Sequence, residues 1–195
     1  MSGKTGSFDW GVELPRLRGT RLDLRPLRAT DAPAIFEIFG DPKVAKYWSS
    51  EAMRSIDEAV ELLDEIRQYF ESRVLFQWGI CSRDADEVFG TATIYQLDLV
   101  NRRAEIGFAL KSACWGQGLA TEAVSLLIAF AFDGLKLHRL EADVDPNNAA
   151  SLHLLEHQGF QREGYLRERW HVHGEVHDSV FLGLLREDRV EVKRG

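Results

Sequence analysis

A glycine-rich turn that opens a helix is the feature of this sequence that most limits its fold. The run Trp115-Gly116-Gln117-Gly118-Leu119-Ala120-Thr121-Glu122-Ala123 lies between a strand-like segment and an apolar helical segment. The N–H groups of a first helical turn have no partner within the helix, and glycines allow a ligand to approach them closely. Because the helix dipole also favours negative charge there, the pattern predicts an anion site at a strand-to-helix junction.

Two familiar phosphate-binding motifs have a similar outline but fit less well. A P-loop has Lys and then Ser or Thr after its second glycine, whereas Leu119 and Ala120 follow Gly118 here. A dinucleotide-binding turn has a third glycine where this chain has Thr121, and it belongs to a βαβ unit. Both motifs are therefore disfavoured, although the turn itself fits a pyrophosphate.

Length and composition are those of an ordinary soluble domain. The 195 residues are 45% apolar and 28% charged, and we expect residues 1–12 to form a flexible tail before a single domain over residues 13–195. Cys81 and Cys114 are too few for a disulfide framework. The sequence has no signal-peptide core and no stretch of about 18 apolar residues, so we expect a cytoplasmic protein without a membrane partner.

The charge balance bears on the partners of the protein. Lys and Arg number 24 against 31 Asp and Glu, which gives a formal net charge of -7. Nucleic-acid binding depends on basic surface, so we expect no nucleic-acid partner. An acidic surface suits a cationic acceptor better.

Hydrophobic periodicity predicts strands and helices in a defined order. Strands are expected over residues 21–27, 75–81, 88–97, 104–110, 138–144, 160–171 and 176–185. Helices are expected from a cap at Thr30 or Asp31 to Phe39, and over residues 55–70, 120–132 and 146–158. The strands between 75 and 110 form an antiparallel meander, and the last two form a hairpin across His173-Gly174. This order predicts an α/β (mixed α+β) fold, a mixed sheet with helices on both faces.

Four segments resemble, in order and spacing, the successive motifs of the GCN5-related N-acetyltransferases (GNAT). They are Ala104-Glu105-Ile106-Gly107-Phe108, Gly116–Ala123, Asn148-Ala149-Ala150-Ser151 and Glu156-His157-Gln158-Gly159-Phe160. The resemblance covers roughly residues 20 to 187, and it is greatest to the branch that acetylates the N-termini of ribosomal proteins. It implies a largely antiparallel central sheet, acetyl-CoA as co-substrate without a metal, and transfer of the acetyl group to a protein N-terminal α-amine in a ternary complex.

The resemblance also implies which residues bind acetyl-CoA. The pantetheine arm is expected along Phe108 and Leu110, and Asn148 matches an Asn that contacts the cofactor near its reactive end. Asn148 equally suits a helix N-cap, and the two roles are compatible. Trp115 stands where the family often has Arg or Gln, so no side-chain contact is expected from it. The pyrophosphate is expected on backbone amides of the turn, namely those of Gly116, Gln117, Gly118, Leu119, Ala120 and Thr121.

Catalysis needs a neutral amine and a protonated leaving thiolate. Glu105 matches the family's general-base position, where a carboxylate can accept a proton directly or through water, although a paired structural Glu is the alternative. Glu168 is the reserve base. Many members supply the acid from a Tyr seven residues after the Asn, but that residue is Leu155 here. Ser151 resembles the Ser that acts as acid in the ribosomal-protein enzymes, and a polar residue in a first helical turn is its alternative role.

Several alternatives remain at this level. The acceptor can instead be a small-molecule amine such as an antibiotic or a polyamine, and Leu155 leaves open a non-catalytic acyl-CoA-binding module. Tyr47-Trp48 and Arg169-Trp170 lie in the parts of the chain that wall the acceptor site in the family. Three histidines follow in the last hairpin, His171, His173 and His177. No carboxylate or Cys stands at a recognisable ligand spacing from them, so no metal is expected. By analogy alone, a homodimer is also expected.

Overall fold

An eight-stranded sheet organises the computed structural model, which describes residues 11–48, 50–172 and 174–189. The strands are β1 (Leu17–Arg18), β2 (Leu22–Pro26), β3 (Phe76–Ser82), β4 (Val88–Asp98), β5 (Arg103–Leu110), β6 (Arg139–Val144), β7 (Gln161–Val172) and β8 (Glu175–Leu185). Their order is β1-β2-β3-β4-β5-β6-β8-β7, and only the β5–β6 pair is parallel. The predicted mixed, largely antiparallel sheet is confirmed.

Helices cover both faces of this sheet. They are α1 (Ala32–Phe39), α2 (Pro42–Ala45), α3 (Ile56–Glu71), α4 (Leu119–Ala129) and α5 (Ala149–His157). The larger core packs α4 residues such as Leu127 against Trp78 and Ile94 of the sheet. The smaller core, on the other face, packs Ile35 of α1 and Ala59 of α3 together. This arrangement buries the alternate apolar positions from which the strands were predicted.

The first helix begins differently from the prediction. Asp31 does not cap α1 with its side chain. Its carboxylate instead accepts two hydrogen bonds from the Arg25 guanidinium, each of 2.8 Å, and a third from the Arg28 N–H. Because the buried Arg25 guanidinium needs a carboxylate partner, the Asp31 side chain pairs with it and does not bond to the first-turn amides of α1. The other predicted helices and strands begin and end within a few residues of the observed bounds. One difference is that α4 is followed by a turn of π-helix over residues 130–134.

Some predictions fall outside the described residues. Residues 1–10 and His173 are not described, so the flexible tail over 1–12 stays a prediction, as does the domain boundary at residue 13. Every described strand from Leu17 to Leu185 belongs to the one sheet. None of the described helices is long and apolar enough to cross a membrane.

The parallel pair β5–β6 separates after three residues, and this separation positions the site. Pairing joins Arg103–Glu105 to Arg139–Glu141 and goes no further along the described strands. Lys111 N–H donates to Phe89 on β4, and backbone groups of alternate residues point to the same side of a strand. The N–H and C=O groups of Ile106, Phe108 and Leu110 therefore face the gap beside β6.

Candidate active site

A cavity of about 870 Å³ passes through the gap between β5 and β6. The glycine turn and the start of α4 line one part of it, and Asn148 and Ser151 of the α5 start line another. Tyr95, Asp143 and Trp170 line the part that lies away from the glycine turn. The cavity thus brings together motifs that are far apart in the sequence.

The glycine turn has the conformation that its sequence requires. Gly116 and Gly118 both have φ of +72°, in the left-handed region that favours glycine. Gly118 is the N-cap of α4 and makes no side-chain cap bond, so the first-turn amides of the helix are left for a ligand. Every predicted phosphate-site residue of the turn lines the cavity except Gln117, whose side chain bonds to the Ala113 carbonyl.

Arg21 and Glu122 brace this turn, and sequence reasoning missed their pairing. The Glu122 carboxylate accepts hydrogen bonds from Thr20 N–H at 2.6 Å, Arg21 N–H at 2.8 Å and Arg21 Nε at 3.0 Å. Arg21 Nη1 also donates to the Gln117 carbonyl at 2.9 Å. Although burial raises it, these hydrogen bonds hold the pKa of Glu122 below its ordinary value. The pair ties the edge of the sheet to the first turn of α4.

The strand edge predicted to meet the pantetheine arm is partly occupied. Phe108 and Leu110 both line the cavity. The indole Nε1 of Trp115 donates to the Leu110 carbonyl at 3.0 Å. A pantetheine chain can therefore pair with the backbone of Phe108 and with the Leu110 N–H, while the Leu110 carbonyl already has a donor.

The start of α5 presents Asn148 and Ser151 to the cavity. Asn148 is the N-cap of α5, and its Oδ1 accepts a hydrogen bond from Ser151 N–H at 3.2 Å. The predicted cap is thus confirmed. Leu155, which stands where the resemblance led us to look for a Tyr, is buried and also lines the cavity.

Glu105 lies just behind the cavity wall and not in it. Glu105 is 8% exposed and is not among the residues that line the cavity. Tyr95, which pairs directly with Glu105 across β4 and β5, does line the cavity. Burial raises the pKa of Glu105 above its ordinary value; the Tyr95 hydroxyl opposes this shift, while Asp143 and Glu141 add to it. Burial, followed by the charge of Glu105, raises the pKa of Tyr95 well above that of a free tyrosine.

Asp143 on β6 organises the part of the cavity beyond the gap. Its buried carboxylate accepts from Trp170 Nε1 at 3.1 Å, from Arg169 Nε at 3.3 Å and from the Ser179 hydroxyl. These bonds hold Trp170 in the cavity wall. Trp170 belongs to one of the segments that we expected to line the acceptor site. Tyr47 and Trp48, from the short α2 region, line the same cavity, with Lys43 and Lys46 beside them.

A second recess of about 460 Å³ adjoins this opening. Asp145, Asp178 and Glu168 line it, and Asp145 and Asp178 line the main cavity as well. Asp178 accepts hydrogen bonds from the Tyr165 hydroxyl at 2.6 Å and the Glu168 N–H at 2.8 Å. Glu168, the reserve base, thus lies in the recess and not in the main cavity. The far opening of the site is rich in carboxylates.

The described residues contain no cluster of three or more metal-ligand side chains. The carboxylates of the opening are instead joined to neighbouring donors, as Asp143 and Asp178 show. His177 lies near this group, with its Nδ1 3.6 Å from the Asp145 carboxylate.

Comparison with known proteins assigns the chain to a family. The family model for the acetyltransferase (GNAT) domain matches residues 21–161. The chain therefore belongs to the GNAT family, and it is an acyltransferase, which supports an enzyme over a binding module. The family uses acetyl-CoA as its acyl donor.

Named relatives match most of the chain. The chain is 36% identical over 172 residues to an uncharacterized N-acetyltransferase, YoaA, from Bacillus subtilis. This alignment covers 88% of this chain and 97% of the relative. It is 28% identical over 158 residues to spermidine N(1)-acetyltransferase from Escherichia coli, with 80% and 82% covered. A structure of Mycobacterium smegmatis RimJ in complex with CoA-disulfide matches with a TM-score of 0.81 and 26% identity, over 89% of this chain and 87% of RimJ.

Proposed function

We propose that this protein transfers the acetyl group of acetyl-CoA to a primary amine, and that the amine is the α-amine of a protein N-terminus. The observation that carries this proposal is one continuous cavity that joins the glycine turn to a carboxylate-bearing opening through the β5–β6 gap. Such a cavity can hold both substrates together, with the thioester in the gap. Bringing two reactants together in the correct geometry removes much of the entropic cost of their encounter.

The residues on the glycine-turn side would bind acetyl-CoA through backbone groups. The first-turn amides of α4 would hold the pyrophosphate, and the gap-facing backbone of β5 would pair with the pantetheine amides. RimJ, whose structure contains CoA-disulfide, supports this placement by its similarity to the chain. The proposed binding residues are Phe108, Leu110, Gly116, Gln117, Gly118, Leu119, Ala120, Thr121 and Asn148.

The far side of the gap would receive the amine. An α-amine of pKa about 8 is neutral in roughly one molecule in ten at pH 7, so it needs only modest help to lose its proton. Glu105 is the proposed base, and its raised pKa brings it closer to the working pH. Ser151, at the start of α5 and in the cavity wall, is the proposed donor to the departing thiolate.

A polyamine is the second candidate acceptor, and the recess beside the opening favours it. Asp145, Asp178 and Glu168 place carboxylates beyond the position of the reacting amine. A polyamine has further ammonium groups that these carboxylates can pair with. The similarity to the spermidine N(1)-acetyltransferase of Escherichia coli supports the same candidate.

The test is release of free thiol from acetyl-CoA across matched acceptors. The panel contains short peptides with free N-termini, the same peptides with blocked N-termini but a free lysine, and polyamines such as spermidine. We expect turnover with free N-termini and little with blocked ones, and mass spectrometry of the product locates the acetyl group.

Two results would overturn parts of the proposal. Turnover with spermidine and none with any peptide would exclude the protein N-terminus and support the polyamine. A rise in melting temperature with acetyl-CoA but no turnover with any amine would contradict the proposed reaction.

A further inference from the structure

The proposed base has no direct opening to the cavity. Glu105 is buried and lies outside the lining, whereas Tyr95, its partner on β4, lines the cavity. The two are directly opposite each other on the antiparallel pair β4–β5, so their side chains share one face of the sheet at short range. Tyr95 is therefore the member of this pair that an amine in the cavity can contact.

We propose that the Tyr95 hydroxyl is a catalytic residue that relays the proton of the acceptor amine to Glu105. This inference rests on the acetyl transfer proposed above and assigns a second group to its proton-accepting step. The geometry that carries it is the position of Tyr95 in the cavity wall, with Glu105 behind it on the neighbouring strand.

The relay moves two protons and leaves Tyr95 neutral. The bound ammonium gives one proton to the Tyr95 oxygen as the Tyr95 O–H proton passes to the Glu105 carboxylate. The amine, which now has a lone pair, forms a C–N bond with the thioester carbonyl, and the C–S bond breaks. Ser151 gives its hydroxyl proton to the CoA thiolate and takes up the second amine proton in its place, and Glu105 releases its proton to water.

The charges around the pair favour a relay over a tyrosinate. Burial and the Glu105 carboxylate raise the pKa of Tyr95, so Tyr95 cannot serve as a base by first losing its own proton to solvent. Burial raises the pKa of Glu105 and the Tyr95 hydroxyl lowers it; of the charged neighbours, Asp143 and Glu141 on β6 raise it and Arg169 on β7 lowers it. The net rise makes Glu105 a better proton acceptor than an exposed carboxylate.

The test compares Y95F, E105Q and the double variant, with Y69F as a matched control. Tyr69 is an exposed tyrosine on α3 and does not line the cavity. We expect Y95F and E105Q each to lower kcat by about 100-fold, the scale of general-base catalysis, with little change in the Kd for acetyl-CoA. The double variant should resemble the single variants, because both groups serve one proton path. Y69F should match the wild-type protein.

The pH dependence of kcat separates a relay from a role in packing. The wild-type protein should lose activity as the pH falls through the raised pKa of Glu105, and this acid limb should be absent from both variants. The relay would be overturned if Y95F has a lowered kcat but still loses activity at acidic pH as the wild-type protein does. It would also be overturned if the kcat of Y95F is within threefold of the wild-type value. Unchanged activity of E105Q would overturn it as well.

A measurement on the wild-type protein covers the case in which Y95F does not fold. Single-turnover rates in mixtures of H₂O and D₂O should depend on the deuterium fraction along a curve, because two protons move together. A straight line indicates one proton and would overturn the relay. If the wild-type protein acetylates no amine at all, the proposed acetyl transfer is at fault, whereas wild-type turnover with an unaffected Y95F refutes the relay alone.

Discussion

The Trp115 indole donates a hydrogen bond to the Leu110 carbonyl at 3.0 Å, so the side chain that stands at the first position of the glycine motif is tied to the end of β5. From the sequence we expected no side-chain contact from Trp115. In the structure it satisfies a backbone acceptor at the edge of the gap. It also fixes the chain just before Gly116, where the anion site begins.

Replacing Trp115 with Phe should lower the free energy of unfolding by about 1 kcal/mol. Phe keeps an aromatic ring but lacks the indole donor, and a hydrogen bond of this kind contributes roughly 0.5–1.5 kcal/mol. Urea unfolding at neutral pH without acetyl-CoA measures the change. An unchanged midpoint would show that the bond to Leu110 contributes nothing to stability.

Replacing Gly118 with Val should weaken acetyl-CoA binding at least tenfold. A β-carbon at Gly118 would stand 3.3 Å from Arg21 Nη2, at a φ of +72° that disfavours other residues by about 1–2 kcal/mol. Isothermal titration with acetyl-CoA measures the affinity. The matched control is G174V, because Gly174 has a φ of +77° and open space around it but lies in the last hairpin. Equal affinities for G118V and G174V would contradict the pyrophosphate site.

The Glu122 brace predicts a pH-dependent contribution to stability. Its folded pKa is depressed, so its contribution is fully present above the unfolded pKa of about 4.3 and is lost as pH falls through the lower folded value. E122Q should cost about 2 kcal/mol near pH 7, since hydrogen bonds to a charged group are the stronger kind. The difference between E122Q and the wild-type protein should shrink as the pH falls towards 3. A difference that is constant from pH 7 to pH 3 would contradict a charged brace.

Removing the Asp143 charge should move the acid limb of activity to lower pH. Asp143 helps to raise the pKa of Glu105, so D143N should lower that pKa and keep the base ionised in more acidic solution. The shift is measured from the pH profiles of kcat/KM for the wild-type protein, for D143N and for E141Q, a second variant on the same strand. A limb that moves to higher pH, or does not move in either variant, would show that Glu105 does not set it.

The sequence predicted the local elements of the fold well, because each depends on residues close together in the chain. The α3 helix begins after Ser55, whose hydroxyl accepts from Glu58 N–H, and its buried residues recur at helical spacing. The glycine turn was predicted for the same reason, since its conformation depends on its own glycines. The four residues of α2 are too few to show a period, so the sequence did not indicate this helix.

What the sequence did not predict depends on pairing between distant segments. Arg21 and Glu122 are 101 residues apart, and neither has a neighbour that suggests a partner. Glu105 was correctly assigned to a strand, but its pairing with Tyr95 follows from the β4–β5 register. The position of Asp143 between Trp170 and Ser179 likewise depends on how β6, β7 and β8 align.

Amide hydrogen exchange with and without acetyl-CoA tests most directly whether the substrates meet in the β5–β6 gap. Acetyl-CoA should slow exchange at the amides of residues 116–121, and at the gap-facing amides of Phe108 and Leu110. The control is a rise in melting temperature that shows acetyl-CoA to be bound. Binding without protection of either segment would contradict the location of the site on which the proposed function and the relay both depend.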